Sequence, residues 1–377
     1  MDYKDAGVNI ELGDDVSKML YEAAKQTWNN RKGRLGEVIT PFDDFSGVRA
    51  INVGNLPADT MMNIGFDGVG TKMEIAERVG KHTTIAFDLF AMVCDDAVVR
   101  GAEPVLIGSI LDVKSLGTDE HPYTEQVKQL CIGYVRAANA ANVAVVNGEV
   151  AELGDRVHGY GPFNYNWGAG VVWFAKKERM FTGREVKEGD KLVGLRELGF
   201  RSNGLSLVRK VMIATHGDDW HNAPWEFDNG SNESPLGHAV LMHSQIYTNA
   251  AVDMFGGYEG EPKAEVHGIA HITGGGLPGK LRRILKVNNL GAMIDTPIDP
   301  SNIMLYASEI GNVPDEKVYS TWNMGQGMVI VTPTPERVIE IAASHSIDAK
   351  VIGEVRADPR IIIKSKGVFS NGKELMY

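Results

Sequence analysis

Two cysteines in 377 residues cannot build a disulfide framework. Cys94 and Cys131 both stand among apolar neighbours, and they read as reduced thiols of a cytoplasmic protein. No apolar run is long enough to cross a bilayer and no signal peptide is legible, so no membrane partner is expected. Positive charge is in deficit: 38 Lys and Arg stand against 49 Asp and Glu, a net charge of −11. That balance argues against non-specific binding to nucleic acid or an anionic lipid surface. No internal repeat stands out. What is in excess is glycine, with 43 residues, against an ordinary share of about 7%. The length suits two domains.

The glycines concentrate where charge does. Residues 63–72 read NIGFDGVGTK, and residues 87–104 read FDLFAMVCDDAVVRGAEP. Gly68 and Gly70 let the backbone approach an oxyanion closely, and Lys72 supplies a point charge. Asp67 would repel phosphate unless a divalent cation sat between them. The spacing misses the Walker loop, because Thr71 and Lys72 stand in the reverse order, and a P-loop NTPase is rejected. The competing reading is a hairpin turn at Asp67-Gly68 with Lys72 in solvent. Residues 87–100 read as a mostly apolar helix interrupted by Asp88, Asp95 and Asp96. Asp88 and Asp95 fall on one face, seven residues apart. Buried like charges need a neutralising partner, and a metal ion would be one; the alternative places them at the solvent edge.

Along the rest of the chain, helices are expected over about 14–26, 123–141, 205–214, 238–255, 277–285 and 335–344. Strands are expected over 105–110, 142–146, 168–174, 191–195 and 329–331. Strands and helices mix without strict alternation, which predicts an α+β fold. The domain boundary is placed at 174/175, giving domains 1–174 and 175–377. Glu149 follows an apolar strand and is a candidate metal or phosphate-site carboxylate; Asn147-Gly148 before it also suits a plain turn. Ser202 or Asn203 would cap the helix from Leu205, whose free amides suit an anion such as a sugar phosphate. His271 and Thr273 stand beside Gly274, Gly275 and Gly276, offering proton transfer and a donor next to backbone open to a ligand. A histidine in an apolar run also serves as a core residue.

Taken in order, these motifs resemble one family. DGVGTK (67–72), GAEP (101–104), SNG-x-SLVR (202–209 with Leu205 as x), H-x-TGGG (271–276) and N-x-G-x-GM (323–328) are similar to the aminoimidazole ribonucleotide synthetase family, also called phosphoribosylformylglycinamidine cyclo-ligase. The likeness opens at Tyr3-Lys4-Asp5-Ala6-Gly7-Val8 and reaches about Val355. Four departures stand out. Asp43 and Asp44 replace glycines of a flap near the nucleotide. Asn147 and Val150 stand in a Gly-Gly-Glu-Thr-Ala-Glu motif. Arg201 replaces a histidine. His243-Ser244-Gln245 replaces Pro-Thr-Arg.

The resemblance implies an ATP-dependent enzyme that cyclises formylglycinamidine ribonucleotide to aminoimidazole ribonucleotide in purine biosynthesis. ATP would phosphorylate the formyl amide oxygen, and the amidine nitrogen would then close the ring and expel phosphate; proximity favours the closure. It implies ATP and Mg²⁺ as cofactors and a homodimer built on N-terminal strands, with the site in a cleft between the domains and near the dimer contact. Asp67, Gly68, Gly70, Thr71, Lys72, Asp95, Asp96 and Glu149 are expected at the nucleotide, with Asp67, Asp96 and Glu149 on metal and Asp88 a further candidate. Ser202, Asn203, Arg209, Thr273, Gly274 and Gly275 are expected at the substrate. His271, Asp67 and Lys72 are the expected catalytic residues. The alternatives are another ATP-dependent kinase or synthase of the superfamily with a different acceptor, favoured by the changes at Arg201, Gln245 and Val150, and a non-catalytic binding protein.

Overall fold

A computed structural model of the chain describes residues 10–40, 49–225 and 234–377. The readings on Tyr3–Val8 and on Asp43 and Asp44 lie outside these. The described chain divides into two compact units. One holds the residues up to Ala97 with Glu103–Lys177; the other holds Val98–Ala102 with Glu178–Tyr377. Each mixes a sheet with helices, which is the α+β class.

The first unit runs α1 Ile10–Thr27, β1 Thr60–Gly68, α2 Lys72–Val79, α3 Ile85–Val98, β2 Glu103–Val113, α4 Thr124–Ala141, β3 Ala144–Glu152 and β4 Tyr165–Lys176. Glu11 and Lys25 stand at the ends of α1 that suit their charges. Gly80 ends α2 and Asn142 ends α4, both in the left-handed conformation. The sheet order is β1-β4-β2-β3, with β2 and β3 parallel and the other pairs antiparallel. One face is packed: Ile107, Leu111, Trp167, Ala169 and Val171 are buried. The other carries Met62, Ile64, Phe66 and Ile110, which are exposed, Phe66 at 75%. Phe66 lies over Gly170, where an added Cβ would come within 2.7 Å of its ring.

The second unit runs β5 Lys191–Arg196, α5 Leu205–His216, a short pair of β6 Pro224–Trp225 and β7 Ser234–Pro235, α6 Leu236–Val240, α7 Thr248–Phe255, β8 Gly268–His271, α8 Gly276–Leu285, β9 Gly291–Ile294, α9 Asn302–Ile310, α10 Asp315–Tyr319, β10 Gln326–Thr332, α11 Pro335–Ser344, β11 Ala349–Arg356, β12 Ile361–Lys364 and β13 Glu374–Met376. Its sheet order is β13-β12-β9-β11-β5-β10-β8. Val193, Leu195, Ile269, Met328 and Ile330 from the sheet pack with Tyr247, Ala250 and Met254 and with Val338, Ile341 and Ala342 in one apolar core.

Two expectations are corrected here. Asp67-Gly68 is no hairpin turn: β1 runs through both residues, paired with Ala169 and Gly168. The helix expected over 238–255 is two helices, with residues 241–247 outside them. Gln245 uses its backbone otherwise. Its N–H donates to Glu197 Oε2 at 3.1 Å and its carbonyl accepts from Arg201 Nη1 at 2.9 Å. These bonds replace the helical ones, and a buried Ser244 beside them holds the segment in.

Candidate active site

In the first unit, Asp67 is the last residue but one of β1, and its Oδ1 accepts from the Gly68 N–H at 2.7 Å. Gly70 then turns with φ +70°, and Thr71 precedes the first helical residue, Lys72. Asp67, Gly70 and Thr71 are exposed. The start of α2 therefore offers amide N–H groups to an anion, with an exposed carboxylate one turn of chain away.

Lys72 departs from its expected place. Its Nζ is 2.7 Å from Asp88 Oδ1, and both side chains have no exposed surface. A lysine so enclosed serves the protein interior rather than a phosphate in solvent. The same pair answers the question posed by Asp88: its neutralising partner is Lys72. Asp95 is also fully buried, whereas Asp96 is exposed.

Asp67, Asp96 and Glu149 do not come together on one ion within the chain. The rung through Asp67 continues to Ala169, Ser109 and Gly148, and Glu149 pairs with Ile110 on the next rung. Asp67 and Glu149 thus stand three strands apart, about 14 Å at ordinary strand spacing. Register also puts them on opposite faces, since Glu149 shares the face of Ile110 and Phe66. Among the described residues no group of three or more His, Cys, Asp or Glu side chains could hold a metal ion.

Neither cysteine is poised for nucleophilic work. Burial pushes the Cys94 thiol well up, with Asp95 adding to it, and burial raises Cys131 to about 11.

In the second unit two of the expected substrate residues, Asn203 and Gly274, meet. Gly204 caps α5 with φ 75° and Gly275 caps α8 with φ 96°, so both helices present free N–H groups at their starts. The loops before them touch: a Cβ on Gly274 would sit 3.2 Å from Asn203 Oδ1. Ser202 and Arg209 are half-buried in and after the first of these loops, and Thr273 is buried in the second. His271 ends β8, buried and paired with Met328 of β10.

Behind His271 lies a buried polar network that sequence reasoning missed. Arg201 Nη2 is 2.7 Å from His271 Nε2, and Arg201 Nη1 is 2.7 Å from Glu197 Oε2. Glu197 Oε1 accepts from the Leu198 N–H at 3.0 Å, and Tyr247 Oη donates to the Arg196 carbonyl at 2.7 Å. The backbone at Gly327 passes so close to Tyr247 that a Cβ there would be 2.0 Å from its hydroxyl. Asn323 Nδ2 donates to the Gly199 carbonyl at 2.8 Å. The N-x-G-x-GM motif is thereby joined to the loop after β5. Glu197 carried a signal like that read at Glu149, an acid shortly after an apolar run, and it directly follows β5.

These features define a class: an α+β protein of two compact units in which glycines open the starts of α5 and α8. Comparison with known proteins gives the family. The family model for AIR synthase related protein, N-terminal domain, matches residues 48–171, and that for the C-terminal domain matches residues 187–366. A phosphoribosylformylglycinamidine cyclo-ligase of Pyrococcus furiosus is 31% identical over 97% of this chain and 98% of its own length. One of Picosynechococcus is 33% identical over 95% and 97%. Among solved structures, Escherichia coli HypE, a hydrogenase maturation protein, has a TM-score of 0.57 at 15% identity, covering 96% of each chain. A thiamine-monophosphate kinase from Stenotrophomonas maltophilia has a TM-score of 0.54 at 13% identity, covering 94% and 97%. These two likenesses show the fold alone. The chain belongs to the AIR synthase related family, an ATP-using enzyme family, and its curated relatives over nearly full length are cyclo-ligases.

Proposed function

We propose that this protein converts formylglycinamidine ribonucleotide and ATP to aminoimidazole ribonucleotide, ADP and phosphate, through a phosphorylated formyl amide. The observation that carries the reading is the meeting of Asn203 with Gly274, which sets two helix N-termini beside His271 and Thr273. That arrangement suits the phosphate and amide of a nucleotide-like acceptor. The full-length relatives named for this reaction support the acceptor.

The site residues are assigned on that reading. Domain 1–174 binds ATP and dimerises, and domain 175–377 holds the acceptor. Gly68, Gly70 and Thr71 cradle nucleotide phosphate. Lys72 acts through its pair with Asp88, which anchors the first turn of α2 to α3 and so holds the Gly70-Thr71 turn. Asp67 and Asp96 fit Mg²⁺, a hard cation commonly held by one or two carboxylates with phosphate oxygens completing its shell. That habit matches a chain whose described residues gather no preformed cage. When bound, the ion neutralises phosphate charge. Asp95, buried next to Asp96 in the chain, supports it, whereas Glu149, about 14 Å from Asp67 and on the opposite face of the sheet, is not assigned to this ion. Ser202, Asn203, Arg209, Thr273, Gly274 and Gly275 hold the acceptor, and His271 serves the proton-transfer step. The protein acts in the cytoplasm.

A homodimer is part of the proposal. The sheet face with Met62, Ile64, Phe66 and Ile110 is apolar and open, and such a face is covered in a stable protein. A second copy is the partner that the family resemblance favours.

The test is ADP release with Mg-ATP, with and without formylglycinamidine ribonucleotide, together with detection of the aminoimidazole product. Stimulated release with product upholds the reading. Release that ignores this acceptor overturns it and favours another kinase or synthase of the superfamily, for which the Arg201 substitution is the specific motive.

A further inference from the structure

We infer that Arg201 is a positioning residue that fixes His271 with its proton on Nδ1 and its Nε2 lone pair turned to the guanidinium. This rests on the placement of His271 at the acceptor, as proposed above. Arginine carries donors only, so the 2.7 Å contact of Nη2 with Nε2 requires Nε2 to be the acceptor. The other end of the guanidinium is held just as firmly. Nη1 donates to Glu197 Oε2 at 2.7 Å and to the Gln245 carbonyl at 2.9 Å, and the plane stands 5.2 Å from the Tyr247 ring centre. Arg201 has no exposed surface and His271 has 3%, so no solvent rearrangement relaxes the arrangement. The backbone at Arg201 is itself unusual, with φ 58°. Such a conformation in a non-glycine residue is strained and persists where its surroundings hold it.

Chemically, this confines the proton-transfer role of His271 to Nδ1–H, which can donate a hydrogen bond or a proton, while Nε2 is occupied by the guanidinium and is no base. A fixed donor of this kind stabilises negative charge developing on an oxygen. The two departures at 201 and 245 are also explained together. The motif that the family carries as Pro-Thr-Arg has lost its arginine at Gln245. The guanidinium now comes from position 201, and it binds the Gln245 backbone.

The test uses the whole protein with ¹⁵N-labelled histidine, the His271 signals being assigned from their loss in His271→Gln. At neutral pH, Nε2 of His271 is expected in the range of an unprotonated ring nitrogen and Nδ1 in that of a protonated one. A proton on Nε2, or on both nitrogens, would overturn the inference, and this readout needs neither turnover nor a variant at Arg201. Arg201→Met is expected to lower kcat about 10- to 100-fold with the KM for ATP unchanged, and to release the fixed tautomer. Loss of kcat with the tautomer unchanged would reduce Arg201 to a packing role and overturn the inference. If the tautomer is as expected but formylglycinamidine ribonucleotide is not turned over, the acceptor assignment falls and the role of Arg201 stands.

Discussion

Lys72 Nζ donates to Asp88 Oδ1 at 2.7 Å, and neither side chain has any exposed surface. The pair joins the first residue of α2 to the first turn of α3, directly after the turn in which Asp67, Gly70 and Thr71 are exposed. Removing one partner leaves a buried charge alone, which costs about 3–5 kcal/mol. Lys72→Met and Asp88→Leu are each expected to destabilise by that order in urea unfolding. The double variant Lys72→Met with Asp88→Leu is expected to cost much less than the sum. Additive losses in the double-variant cycle would show that the two charges are not coupled.

Glu77 and His82 set opposite pH slopes on the first unit. Burial raises Glu77 from 4.5 to about 7, against N–H bonds from Tyr160 and Tyr165 that lower it. The folded protein thus favours protonated Glu77, a contribution complete below about pH 4.5 and lost as pH rises to about 7. Burial lowers His82 from 6.5 to about 4, so its contribution is complete above about pH 6.5 and lost as pH falls to about 4. Each is worth about 2–3 kcal/mol at most. Between pH 4.5 and 6.5 they nearly cancel. Glu77→Gln is expected to leave a Tm that climbs with pH over this window, and His82→Phe one that falls. An unchanged slope in either variant would remove that group from the account.

Asp67→Asn and Asp96→Asn separate chemistry from stability. Both residues are exposed, and exposed substitutions usually stay within about 0.5 kcal/mol. ADP release is expected to fall by about 10²-fold or more, with the unfolding midpoint in urea nearly unmoved. Full ADP release from both variants would take the metal away from these carboxylates.

Phe66→Glu probes the open sheet face. Phe66 is 75% exposed and Met62 is 62% exposed, yet both are large and apolar. In light scattering the parent is expected at twice the chain mass of 41.1 kDa, and the variant at the chain mass itself. A variant that keeps the parent's mass would place any self-association elsewhere.

Much of this protein is written locally. The helices α4, α5 and α11 announce themselves by 3.6-residue apolar spacing and by their ends: Asn142 after α4, Gly204 before α5, Pro335 opening α11. The glycine-opened helix starts at Gly70 and Gly275 are equally local, because positive φ is a property of single residues. The order of the motifs identified the family, since each motif reports a backbone requirement that survives change around it. Tertiary structure decided what depends on residues far apart in the chain. Sheet register set Asp67 and Glu149 three strands apart, and no local pattern encodes register between strands 80 residues distant. Burial turned Lys72 inward to Asp88, because a charge 16 residues on neutralised it more closely than solvent. Two side chains from the loop after β5, Glu197 and Arg201, took the backbone bonds of Gln245 and broke a stretch whose composition is helical. Local sequence states the preferences of a segment. A buried polar group must find its partner wherever the fold supplies one, and that need overrode those preferences at this site.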